Sequence, residues 1–94
     1  MTVGIVGLGL IGGSLARAYA KAGHHVLAQE SNKSMLAFAQ LAGAVSSSLD
    51  QKNISTCDLI LLAIYPQADV AIRATGGLCS FYAEKGGMII GFEK

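Results

Sequence analysis

The chain has 94 residues, 52% of them apolar and 14% charged, and seven basic against six acidic side chains give a net charge of +1. That length accommodates one domain rather than two, and the even charge balance offers no basic surface for nucleic acid or anionic lipid. Charged residues normally make up about a quarter of a soluble domain, so their shortage predicts an exposed apolar patch.

Met1-Thr2-Val3-Gly4-Ile5-Val6 is a short apolar run without alternation, the pattern of a strand buried on both faces. From Ile11 the spacing becomes helical. Ile11, Leu15, Ala18, Tyr19 and Ala22 form one stripe, Ser14, Arg17 and Lys21 face away, and Gly23 is the stop. His25 to Glu30 reads as a second strand. Ser31 and Asn32 then supply cap chemistry to a helix carrying Met35, Leu36, Phe38, Ala39 and Ala42, ended by Gly43. Ala44-Val45-Ser46 is expected to be a brief third strand, followed by a polar loop or short helix through Asn53. Asp58 to Ile64 is the strongest strand pattern, closed by Pro66. A helix over 67–75, a break at Gly76-Gly77, a short helix over 78–84 and a last strand from Met88 complete the pattern. Strands alternating with helices at these lengths predict a doubly wound α/β architecture, a parallel sheet joined by right-handed crossovers.

Gly7-Leu8-Gly9-Leu10-Ile11-Gly12 fits G-x-G-x-x-G between the first strand and the first helix. Gly7 permits the tight turn, Gly9 presents no side chain to a pyrophosphate, and Gly12 allows helix and strand to pack closely. The amides of residues 10–13 at a helix start then receive phosphate without a lysine. No Gly-Lys-Ser/Thr follows, so nucleotide-hydrolysing P-loop chemistry is excluded. Glu30 lies 18 residues after Gly12, where a carboxylate can accept the hydroxyls of the adenosine ribose. That charge favours NAD as the cofactor, while Ser31, Asn32 and Lys33 alongside it leave NADP open. Ala63, Ile64, Tyr65 and Pro66, at the carboxyl end of the strongest strand, are expected to edge the nicotinamide half of the crevice.

Other polar residues read as structural. His24 and His25 stand at the start of the second strand, on the opposite rim, and Asp58 precedes its strand as a cap or turn residue. Cys57 and Cys79 lack metal-ligand spacing and read as reduced, buried thiols, so no metal is expected. The first sixteen residues are uncharged but lack a basic leader and carry five glycines, and no apolar run approaches the ~20 residues of a membrane span. The expectation is a cytoplasmic protein without membrane association.

The run Val3-Gly4-Ile5-Val6-Gly7-Leu8-Gly9-Leu10-Ile11-Gly12-Gly13-Ser14-Leu15-Ala16-Arg17-Ala18 resembles the start of prephenate and arogenate dehydrogenases, and Cys57 to Pro66 resembles their fourth strand. The resemblance covers about residues 2–90 and implies a Rossmann-like sheet of order 3-2-1-4-5. It also implies oxidative decarboxylation of prephenate or arogenate on the route to tyrosine, with NAD(P) taking the hydride. The chain departs from that family after its fifth strand. It lacks the Asp-x-x-Ser-x-Lys segment and the His-Pro motif that supplies the family's catalytic histidine. Residues 1–94 are therefore expected to be a single truncated cofactor-binding domain without catalytic residues. The family's helical substrate and dimerisation domain, or a second copy in a homo-oligomer, is the expected partner. A stand-alone dinucleotide-sensing module is the alternative, and a 3-hydroxyacid or imine reductase relative is a third option.

Overall fold

The computed structural model describes residues 1–63 and 77–91. The elements in chain order are β1 (Thr2–Val6), α1 (Leu10–Lys21), β2 (His25–Gln29), α2 (Lys33–Leu41), β3 (Ser47–Ser48), a 3-10 turn (Ile54–Thr56), β4 (Leu59–Leu62), α3 (Leu78–Glu84) and β5 (Ile89–Gly91). The strands form one parallel sheet in the order β3-β2-β1-β4-β5. This is the Rossmann-like order that the resemblance implies. The helix expected over 67–75, together with Ile64, Tyr65 and Pro66, lies outside the described residues.

β1 is central, paired with β2 on one edge and β4 on the other, and each of its faces looks into a core. Val3 and Ile5 point into a core with Val26, Ala28 and Leu61 that α1 closes through Ala16. Val6 points the other way, into a core with Leu27, Ile60, Leu62 and the α3 residues Cys79 and Tyr82. An apolar run without alternation is what a strand buried between two helical layers requires.

Two expectations, the buried stripe of α1 and the bounds of the third strand, are corrected. The buried residues of α1 are Gly12 and Ala16, with Leu15, Tyr19 and Ala20 partly buried, whereas Ile11, Ala18 and Ala22 are exposed. Gly12 sets this rotation, because the helix rides so close to β1 that only glycine fits there. The third strand is Ser47–Ser48 rather than Ala44–Ser46. Ala44 and Val45 are instead buried, and their amides both donate to Ala39 O and close the end of α2. The polar stretch before the 3-10 turn is a turn built by reciprocal bonds. Asp50 Oδ1 accepts from the amides of Lys52 and Asn53, and Asn53 Oδ1 accepts from the Asp50 amide at 2.8 Å.

The composition predicted an exposed apolar surface, and α2 carries one. None of its residues is buried, and Phe38 and Leu41 are 71% and 88% exposed.

The second core ties α3 to the chain entering β4. Tyr82 donates its hydroxyl to Cys57 O at 2.8 Å. Burial, and then the charge of neighbouring Asp58, push the Cys57 thiol from 9.0 up to about 11. Burial, followed by the Cys57 and Asp58 charges, raises the Tyr82 phenol as well. An acid with a raised folded-state pKa keeps its proton longer in the folded chain than in the unfolded one, so stability falls as pH climbs through this window. Denaturant midpoints should therefore decline from about pH 9 to about pH 11. Cys57→Ala should start lower and decline less steeply. A wild-type midpoint that stays level to pH 11 would contradict this account.

Candidate functional site

Parallel strands place all their carboxyl ends along one rim, and the turn from β1 into α1 lies there. Gly7 has φ +93°, a left-handed conformation that side-chain-bearing residues rarely adopt, and this turns the chain out of β1. A Cβ on Gly12 would fall onto the carbonyl oxygen of Gly7 and lie 3.2 Å from Ala63 Cβ. Ala63 is thus small for the same reason as Gly12: α1 begins against the end of β4.

Gly9 differs from both. Its φ of −67° is open to any residue, and a Cβ built there would meet nothing within 4 Å among the described residues. None of those residues requires glycine at this position. Gly9 is also the N-cap of α1 and contributes no side-chain hydrogen bond. The first-turn amides of Leu10, Ile11 and Gly12 have no intrahelical acceptor, because a helix begins its i−4 bonding only in its second turn. The Gly13 amide, expected among the free donors, is already bonded to Gly9 O at 2.8 Å. What remains is an open step beside three unpaired N–H groups at the positive end of a helix dipole, an arrangement that accepts a diphosphate.

Gly7 and Leu8 build the loop. The Gly7 amide donates to Gln29 O at 2.8 Å, and the Leu8 amide donates to Glu30 Oε1 at 2.7 Å. The Leu8 side chain is buried in the first core, while Leu10 and Ile11 are exposed at the mouth. Glu30 is half-buried, and its Oε2 accepts from the Asn32 amide at 2.9 Å. Neither bond to Glu30 was foreseen from the sequence, because one partner is 22 residues away. Asn32 caps α2 by accepting from the Met35 amide at 3.1 Å through its side-chain oxygen. Ser31 is exposed beside it. Gln29 Oε1 is buried at the end of β2 without a hydrogen-bond partner among the described residues, a polar atom that the sequence did not single out.

The remaining candidates lie away from this rim. His25 pairs with Thr2 at the opposite end of the sheet, and His24 Nδ1 lies 2.9 Å from the Met1 amine. Asp58 Oδ2 accepts from the Thr2 amide at 2.7 Å and fastens the start of β1 beside β4. Among the described residues no group of three or more His, Cys, Asp or Glu side chains is placed to hold a metal ion. No helix among them is long and apolar enough to cross a membrane.

A solved arogenate dehydrogenase from Synechocystis is 30% identical to this chain over 80% of its length, with a TM-score of 0.65. A prephenate dehydrogenase from A. aeolicus, solved in complex with hydroxyphenyl propionate and NAD+, is 18% identical over 97% of the chain with a TM-score of 0.71. A Streptomyces aurantiacus imine reductase is 22% identical over 99% with a TM-score of 0.72. The last two likenesses show the shared fold. The chain spans 26%, 32% and 32% of the length of these three proteins. A stretch of 29 residues, 31% of this chain, is 62% identical to a DegV domain-containing protein of Streptococcus pneumoniae, of which it covers 10%. Residues 2–77, well over half the chain, match the family described as NADP oxidoreductase, coenzyme F420-dependent. With that match laid over a glycine loop, a helix start and a strand-end carboxylate, the chain belongs to this family and is an oxidoreductase-type dinucleotide-binding domain.

Proposed function

We propose that the chain is the cofactor-binding part of a prephenate or arogenate dehydrogenase-like oxidoreductase, working with a helical substrate-binding domain. The observation that carries the binding reading is the open step at Gly9, where neither backbone conformation nor neighbouring atoms call for glycine but a diphosphate would. In this reading the amides of Leu10, Ile11 and Gly12 receive the diphosphate. Glu30 accepts the adenosine ribose hydroxyls through its remaining lone pairs, and the segment from Ala63 through Ile64, Tyr65 and Pro66 edges the nicotinamide half. When bound, the nicotinamide ring accepts a hydride from the substrate carbon that bears the hydroxyl. The chain's residues hold and orient that cofactor. The substrate assignment is supported by the 30% identity with the arogenate dehydrogenase and by Gly12-Gly13-Ser14-Leu15 after the loop. The apolar face of α2 supports a domain that works against another protein surface.

Oxidation of the hydroxyl needs a base to take its proton. The chain's two histidines, His24 and His25, are on the wrong rim, and Glu30 is assigned to the adenosine ribose, away from the nicotinamide end. Calorimetry of the purified chain should show NAD bound more tightly than NADP, and adding prephenate or arogenate should yield no NADH. A clear NADP preference would overturn Glu30 as the ribose ligand, and robust NADH formation would overturn the division of labour. If the full gene product turned over a cyclic imine and neither prephenate nor arogenate, the imine reductase likeness would replace this reading.

A further inference from the structure

We propose that Glu30 is a positioning residue for the glycine loop, holding the loop in its binding shape before any ligand arrives. Glycine-rich backbone has the most conformational freedom to lose on ordering, and half of the segment from Gly7 to Gly12 is glycine. Something must hold it. Among the described residues, the bonds from outside the loop to its first two amides come from consecutive residues at the end of β2: Gln29 O holds the Gly7 amide at 2.8 Å and Glu30 Oε1 holds the Leu8 amide at 2.7 Å. The same carboxylate holds the Asn32 amide through Oε2 at 2.9 Å, and Asn32 caps α2. One side chain therefore links the turn that starts α1 to the turn that starts α2.

Amide bonds to an ionised carboxylate are stronger than bonds between neutral groups, and each oxygen keeps a lone pair that a ligand hydroxyl can use. The clamp and a ribose contact are compatible, but they predict different outcomes. A residue that only contacts ribose matters only to ligands that have those hydroxyls. A residue that shapes the loop matters to every ligand the loop holds, because preorganisation is lost for all of them. The ligand half of this inference rests on the dinucleotide reading above, whereas the clamp itself does not.

The test compares wild type, Glu30→Gln and Glu30→Ala in two measurements. The first is amide hydrogen exchange by NMR in the ligand-free protein. In Glu30→Ala the Leu8 and Asn32 amides should exchange at least about tenfold faster. The Ile60 amide, bonded to Met88 O inside the sheet, should keep its rate. Glu30→Gln retains one acceptor oxygen of nearly the same shape and should fall between the two. The second is calorimetry with an NAD analogue lacking both hydroxyls of the adenosine ribose, which Glu30→Ala should bind at least about tenfold more weakly than wild type. An unchanged Leu8 exchange rate in Glu30→Ala would overturn the clamp, as would equal affinity of wild type and variant for the analogue. If wild type bound no dinucleotide at all, the proposed function would fail and the exchange measurement alone would decide the clamp.

Discussion

Gly12→Ala is expected to lose about 3 kcal/mol of stability or more, since a Cβ there makes the closest contact at any of the described glycines. The added carbon would overlap the Gly7 carbonyl oxygen, which is backbone and cannot rotate aside, and would press on Ala63 Cβ at 3.2 Å. Relief requires α1 to lift away from β1 and β4. That would open the core around Ala16, Ile5 and Leu61, each no more than 2% exposed. The denaturant midpoint of the variant should fall accordingly, with dinucleotide affinity falling as well because the displaced helix carries the loop amides. A midpoint equal to wild type would mean that the helix does not sit this close to the sheet.

Gly9→Val should do the reverse, leaving the fold nearly intact and weakening NAD binding at least about a hundredfold. The φ of −67° suits valine and no described residue lies within 4 Å of a Cβ there, so only the modest cost of a poor helix cap is expected. For a chain of this size that cost should lower the melting temperature by less than about 5 °C. The branched side chain would stand where the diphosphate meets the amides of Leu10, Ile11 and Gly12. Losing two such charge-assisted bonds is worth about 3 kcal/mol or more, which is the hundredfold effect. Calorimetry and thermal melting on the same sample separate the two quantities. Unaltered affinity would show that the ligand lies elsewhere, and collapse of the fold would show that Gly9 has a structural role that the present geometry does not contain.

Two glycines of one motif thus differ sharply in surroundings, although in the sequence they are equivalent letters. A residue that avoids a clash and a residue that leaves room for a ligand are both written Gly, and only the surrounding atoms separate them. The same holds for Asn32. As a cap candidate it was legible, since cap chemistry is local, and Asn32 Oδ1 does accept from Met35 N. Its side-chain nitrogen is a separate donor, and what that donor meets is decided by the surroundings rather than by the letter.

The order of strands and helices, the parallel α/β class and the place of the glycine loop were determined by sequence alone. Each depends on a local period or on a side chain that is missing, and neighbours in the chain suffice to express both. Tertiary structure decided the rotation of α1, which follows Gly12 and Ala16 inward rather than the longer stripe through Ile11 and Ala18. It also decided that β3 pairs at Ser47 and Ser48, where the β2 edge lies, and that Glu30 joins two turns. These features depend on close approach between residues far apart in the chain, and hydrophobic patterning carries no record of how near two backbones come.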